Sequence, residues 1–253
     1  MDESLKKEYA LREMLLMGGV SVHVPQLTNL RRIEVDITSR CNLNCHACTR
    51  FCGVSKPSDD MQVGQIHALA DESKRFGVQW DGITIMGGEP GLHGCLFEIS
   101  SIMEQMHPRE LKLTTNGTMN ERVERLTPQS VRITATTAQK ATMVDGIIPD
   151  FSNVYIAPFE HSRGIITACQ VHATCGLSMS VNGYAPCPVA GSIMRVLGLD
   201  HMFAKSLSSV SQLWCNHFLS LACALCGRNH NYQIPCSIDS SMWPFWKKAL
   251  SCA

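Results

Sequence analysis

The sequence predicts an α/β fold built from parallel βαβ units, and three observations carry that prediction. Short alternating apolar runs recur between residues 32 and 136, and stretches with helical spacing of their apolar residues lie between them. Glycine-rich and cysteine-rich segments fall directly after these runs. From Cys169 onward the pattern changes to a short hairpin, a helix and a second set of cysteines. Strands that alternate with helices pair in parallel, because each helical crossover returns the chain to the end of the sheet where the previous strand began.

The elements follow in order. A helical stretch covers residues 8–17, with Leu11, Met14 and Leu15 on one face and Gly18-Gly19 ending it. It is expected to pack on the outside of the domain. Arg32-Ile33-Glu34-Val35-Asp36-Ile37 alternates and reads as the first strand. Ser58-Asp59-Asp60 is suited to cap a helix carrying Met61, Ile66, Leu69 and Ala70, which Gly77 ends. Residues 82–86 form the second strand. A helix with Leu96, Ile99, Met103 and Met106 on one face follows and stops at Pro108. Residues 110–115 form the third strand, 120–126 a helix, 130–136 the fourth strand and 154–157 a fifth. Residues 164–167 are a candidate sixth.

Length and composition narrow the function classes. A chain of 253 residues suffices for one large α/β domain, with or without a small module. Basic and acidic residues both number 22, so no electrostatic footprint for nucleic acid or a membrane surface is present. No apolar run is long enough to span a bilayer. The first residues are acidic and lack the layout of an export signal. Thirteen cysteines, an odd number, then point to a reducing cytoplasm and to metal or redox work rather than disulfides.

Cys41, Cys45 and Cys48 stand at C-x3-C-x2-C spacing just after the first strand. Cysteine thiolates hold iron–sulfur clusters, and short spacings let one loop wrap a cluster. Three ligands leave one iron of a [4Fe–4S] cube open to a small molecule unless a distant residue fills it. Zinc is the alternative for clustered cysteines, but no second C-x2-C pair lies close after Cys48. Gly87-Gly88-Glu89-Pro90 ends the second strand, where two glycines let a backbone approach a ligand and a carboxylate can accept from an ammonium. Thr115-Asn116-Gly117 ends the third.

These three motifs, in this order and at strand ends, resemble the radical S-adenosylmethionine (radical SAM) superfamily. The resemblance covers roughly residues 32–230. It implies a partial (β/α)6 TIM-like barrel, with a site at the carboxyl ends of the strands. It implies that Cys41, Cys45 and Cys48 hold a [4Fe–4S] cluster whose open iron takes S-adenosylmethionine. Gly87, Gly88, Glu89 and Pro90 would meet the amino group of that molecule, and Thr115 and Asn116 would lie near it. Thr134 and Thr136 are candidates for its ribose or carboxylate, although threonine is also an ordinary strand residue. Relatives usually place an aromatic residue before the third cysteine; Ala47 stands here, which removes one expected adenine contact.

The second set contains Cys169, Cys175, Cys187 and the C-x2-C pair Cys223 and Cys226. Between Cys175 and Cys187, two alternating runs flank Asn182-Gly183 and read as a hairpin with a type I′ turn. Residues 206–221 read as a helix with Leu207, Val210, Trp214 and Phe218 on one face. Cysteine, hairpin, helix and C-x2-C resemble the twitch module, the shortened SPASM domain of radical SAM enzymes. That resemblance implies a small C-terminal β-hairpin plus helix iron–sulfur module with a second, auxiliary [4Fe–4S] cluster. Cys187, Cys223 and Cys226 fit best as its ligands, with Cys169 or Cys175 as the fourth and Cys169 slightly favoured; structural zinc is the alternative. Cys52, Cys95, Cys215, Cys236 and Cys252 read as buried or incidental thiols.

The expected organisation is a helical extension over 1–30, a partial barrel over 31–168, and an auxiliary module with a tail over 169–253. The resemblance implies an enzyme that reductively cleaves S-adenosylmethionine and abstracts hydrogen from a small-molecule or peptide substrate, for oxidation or maturation. A flavodoxin- or ferredoxin-type protein would supply the electron. A non-catalytic iron–sulfur or zinc protein on the same scaffold is the other class.

Overall fold

The computed structural model describes residues 2–43, 48–52, 59–135 and 164–229. In chain order it contains α1 (Glu3–Met17), β1 (Ser21–His23), β2 (Arg32–Thr38), α2 (Val63–Arg75) and β3 (Gly82–Gly87). Then come α3 (Leu96–Gln105), β4 (Leu111–Thr115), α4 (Asn120–Arg125), β5 (Arg132–Ala135), β6 (Ile165–Thr167) and α5 (Val171–Thr174). The last described elements are β7 (Leu177–Ser180), β8 (Gly183–Ala185), α6 (Pro188–Val196) and α7 (Gln212–Ala222).

The main sheet has six strands in the order β5-β4-β3-β2-β7-β8. Every pair in it is parallel except the β7–β8 hairpin. β2, β3, β4 and β5 are thus consecutive strands of a partial barrel, joined by α2, α3 and α4. The reason lies in the alternation within β2. Ile33, Val35 and Ile37 are essentially unexposed and join Ile66 and Leu69 of α2 and Ile99 and Met103 of α3 in one hydrophobic cluster. The period of two sends Glu34 and Asp36 to the opposite face.

A second cluster lies under the C-terminal part. It unites Leu11 and Leu15 of α1 with Ile193 and Met194 of α6 and Phe218 and Leu219 of α7. Phe218 is fully buried and meets Phe203 and Trp214 edge-on, with ring centroids 5.8 and 5.6 Å away.

Several local expectations change. α2 starts at Val63, with Gln62 as its N-cap. Asp60 is taken instead by the Thr38 hydroxyl and the Arg40 guanidinium, and it bridges to the end of β2. The candidate sixth strand exists as β6, but it pairs in parallel with the unforeseen β1 in a separate two-stranded sheet. Residues 154–157 lie outside the described residues. The hairpin forms, yet Ser180 pairs with Gly183, so its loop is Val181-Asn182. Neither loop residue has positive φ, so the turn is not type I′. Gly183 instead opens β8 at φ 119°, where a Cβ would overlap the Ala204 carbonyl. The helix expected over 206–221 is divided: a 3-10 turn covers Leu207–Ser209, and α7 starts after Ser211, whose hydroxyl accepts from the Trp214 N–H at 3.1 Å. No helix among the described residues is long and apolar enough to cross a membrane.

His172 in α5 is 1% exposed, and neither ring nitrogen has a partner among the described residues. Burial holds its pKa below the ordinary 6.5. The unfolded chain therefore binds the proton first as pH falls, and stability rises with pH across that window. Stability is expected to drop as pH passes below about 6.5, and His172→Phe is expected to flatten that drop. Urea midpoints measured on either side of this pH check it; identical pH dependence in both proteins would refute it.

Candidate functional site

The site is assembled where β2, β3 and β4 end. β2 shifts register against β3 between Asp36 and Thr38, so that Thr38 faces Gly87. Such irregularities re-aim the chain beside active sites. The Gly88 N–H then donates to the Thr38 carbonyl at 2.7 Å, and the Glu89 N–H to the Arg40 carbonyl at 2.8 Å. A Cβ on Gly87 would overlap the Thr38 carbonyl, and one on Gly88 the Arg40 carbonyl. The two glycines thus let this backbone lie directly against the residues that lead into Cys41.

Glu89 is fully buried. Its carboxylate accepts from the Gly91 N–H at 2.9 Å, the Thr115 hydroxyl at 2.8 and 2.9 Å, and the Asn116 N–H at 2.8 Å. Pro90 opens a 3-10 turn over Pro90–Leu92 that makes the first of these contacts possible. The Asn116 side-chain N–H reaches the Cys41 sulfur at 3.7 Å and the Asn42 side-chain oxygen at 2.9 Å. Cys41, Gly87-Gly88-Glu89 and Thr115-Asn116 therefore form one hydrogen-bonded unit. Thr134 is exposed on β5, in register with Thr114. Cys45 and Thr136 lie outside the described residues.

The far side of the cysteine loop is held differently. The Phe51 N–H closes a turn onto the Cys48 carbonyl at 3.1 Å, with Phe51 in the left-handed region at φ 54°. Arg50, in that turn, is buried and donates to Asp36 at 2.8 Å and to Glu34 at 2.5 Å, both on β2. Cys52 comes back beside Cys48. Its hydrogen bond to the Cys48 sulfur, helped by Arg50 against burial, brings the Cys48 thiol down to about 6, and the same bond pushes Cys52 up. A thiol already inclined to lose its proton suits a metal-binding thiolate.

On α2's side, Arg40 pairs with Asp60 and donates to the Leu92 carbonyl at 2.8 Å. A cleft of about 600 Å³ opens beside this pair, lined by Asp59, Gln62, Gln65 and Asn182 among others. Its walls offer mainly hydrogen-bonding groups.

The second cysteine set separates into two environments. Cys187 is the N-cap of α6 and Cys223 the C-cap of α7. Burial raises the pKa of Cys187, Cys223 and Cys226, and Cys169 is close enough to raise all three further. The Cys169 N–H donates to the Asn229 side-chain oxygen at 3.0 Å, and the Asn229 amide donates to the Cys223 carbonyl at 3.0 Å. Cys175 is elsewhere. Burial and the Glu34 carboxylate raise its thiol to about 11. No three His, Cys, Asp or Glu side chains among the described residues converge on a single-ion site. Thiolates of a cluster bind separate irons and need not converge in that way. The described cysteines are unpaired thiols, which fits thiolate ligation.

Glu34, Asp36, Arg40, Arg50, Asp60 and Asn229 were not foreseen as site residues. Acidic residues alternating with isoleucine and valine on a central strand were the available signal for Glu34 and Asp36.

Glu89→Gln keeps the shape but turns an amide toward donors that need an acceptor. A loss of about 1–3 kcal/mol is expected. Urea unfolding of the variant measures it, and unchanged stability would refute the clamp role.

Residues 35–140 match the family model described as "Radical SAM superfamily". A probable GTP 3′,8-cyclase of Methanocaldococcus jannaschii is 35% identical over 92 residues, which is 36% of this chain and 30% of that protein. The Methanothermobacter marburgensis protein of the same description is 28% identical over 102 residues, 40% of this chain and 32% of its own length. The chain thus spans about a third of the length of these relatives. Among solved structures, BtrN in complex with AdoMet and 2-DOIA aligns at TM-score 0.47 and 16% identity, covering 83% of this chain and all of that one. Streptococcus suis SuiB bound to precursor peptide SuiA aligns at TM-score 0.35 and 15% identity, covering 52% of this chain and 28% of SuiB. The sheet order and the motif geometry stand independently of these distant likenesses. The likeness to the radical SAM superfamily is thus carried by residues 35–140.

Proposed function

We propose that this chain is a radical SAM enzyme acting on a polar small molecule or a peptide, for oxidation or maturation. The observation that carries the reading is the hydrogen-bonded unit of Cys41, Gly87-Gly88-Glu89 and Thr115-Asn116 at the ends of three parallel strands. Likeness to that superfamily implies a [4Fe–4S] cluster and S-adenosylmethionine, and Cys41, Cys45 and Cys48 are the residues that would hold the cluster. When bound, that pair supplies a 5′-deoxyadenosyl radical able to take hydrogen from an unactivated C–H bond.

The chain's own residues prepare the site. Gly87 and Gly88 bring the end of β3 against the loop before Cys41. Glu89 fixes Thr115 and Asn116, and with Pro90 these residues form the rim that would face S-adenosylmethionine. Thr134 on β5, and Thr136 outside the described residues, are the further residues proposed to extend that rim. The cleft beside Arg40 favours a substrate rich in hydrogen-bonding groups. A flavodoxin- or ferredoxin-type protein is the proposed electron donor.

Cys169, Cys187, Cys223 and Cys226 are the proposed ligands of an auxiliary [4Fe–4S] cluster. Their mutual electrostatic reach supports Cys169 over Cys175, whose thiol is engaged with Glu34. A metal bound there would have to displace the protons that burial retains on these thiols.

Anaerobic reconstitution tests the reading. Iron and sulfide near eight per chain are expected, because two cubes contribute about four each. Cys169→Ala should fall to about four, whereas Cys175→Ala should keep about eight. With dithionite and S-adenosylmethionine, 5′-deoxyadenosine should accumulate. Its absence in fully loaded protein would favour a non-catalytic iron–sulfur protein.

A further inference from the structure

We infer that Arg195 is a positioning residue that fastens the loop of Cys41, Cys45 and Cys48 to the helix that starts at Cys187, so that one rigid strut spaces the two cysteine sites. The inference rests on the proposed assignment of those cysteines as cluster ligands.

Three contacts make the strut. α6 has Cys187 as its N-cap and runs over Pro188–Val196, so Arg195 lies in its last turn. At about 1.5 Å per residue, the helix carries the chain roughly 12 Å from one site toward the other. The Arg195 guanidinium donates to the Arg50 carbonyl at 2.5 Å. That carbonyl is two residues beyond Cys48, in the turn where Phe51 holds a left-handed conformation.

Arg50 and Phe51 anchor the same turn in opposite directions. The Arg50 side chain reaches Glu34 and Asp36 on β2, on the barrel side. The Phe51 ring is buried in the C-terminal cluster with Ile193 and Met194 of α6. Arg195 therefore closes a circuit of β2, Arg50 and α6 that passes beside Cys48. A left-handed phenylalanine is unfavourable in isolation and persists where neighbours over-determine it. The Arg195 contact and the buried ring provide that constraint. The Arg195 Nε is buried without a partner, so the Arg50 carbonyl is the hydrogen-bond partner the described residues give this guanidinium.

The test uses the reconstituted full chain and the variants Arg195→Gln and Arg195→Lys. S-adenosylmethionine should alter the electron paramagnetic resonance signal of the loop cluster and leave the auxiliary signal unchanged, which separates the two sites. Loss of each signal is followed in the presence of an iron chelator, with far-ultraviolet circular dichroism as the check on folding. In Arg195→Gln, the responsive signal is expected to decay about 10-fold faster than in the natural protein, as for other residues that orient metal ligands. The unresponsive signal should keep its lifetime. Arg195→Lys retains a charged donor and should fall between the two. If Arg195→Gln does not fold, the lysine variant decides by the same comparison. Equal lifetimes in all proteins, or equal loss of both signals, would overturn the strut. Absence of a responsive signal in the unmutated protein would overturn the cluster assignment instead.

Discussion

The backbone of Gly87, Gly88 and Glu89 lies against the backbone of Thr38, Ser39 and Arg40, and the rest of the site depends on that apposition. Two N–H groups at the end of β3 are satisfied by carbonyls at the end of β2. Side chains at either glycine would force the two ends apart. The contact brings Glu89 to the position from which its buried carboxylate gathers donors from the end of β4. Three strand ends are joined in this way, and Asn116 carries the connection to the sulfur of Cys41.

The opposite flank of the cysteine loop relies on charge rather than on backbone fit. Arg50 is buried, and despite its burial the Asp36 and Glu34 carboxylates hold it firmly protonated. Burial pushes the Asp36 carboxyl up in spite of Arg50. Isolated charges in this setting would be very costly, so breaking such a group by removing one member costs about 3–5 kcal/mol. The loop is thus fixed at its start by glycines and at its exit by an ion network.

Much of this was legible in the sequence because the signals were local. The alternation of residues 32–37, the cysteine spacing and Gly87-Gly88-Glu89-Pro90 each fit within one element and its exit loop. The hairpin between Cys175 and Cys187 was also legible, but its turn was not. Gly183 is used for its close approach to Ala204, a contact that no local rule contains. The Glu89 carboxylate illustrates the same limit: its protein partners Gly91, Thr115 and Asn116 come together only in the fold. By sequence Asp60 suits a helix cap, because an acid before an apolar run usually is one. Arg40, twenty positions earlier, binds it instead. Arg50 and Arg195 lie in segments without periodicity or motif, and their roles arise only when β2 and α6 are brought together. Spacing leaves both Cys169 and Cys175 open with Cys169 slightly favoured, and only the fold shows that Cys175 lies beside Glu34.

The parallel pairing of β7 with β2 has a consequence for how the chain is made. Ile33 is matched with Leu177, so one edge of the second strand waits for a segment that leaves the ribosome much later. Until then, β2 has only β3 beside it, and its other row of N–H and C=O groups is an open template. Contacts of such long sequence separation are slow to form and prolong that exposure. The hairpin that ends in Cys187 therefore also completes the sheet, and folding of the N-terminal strands is tied to synthesis of the C-terminal third.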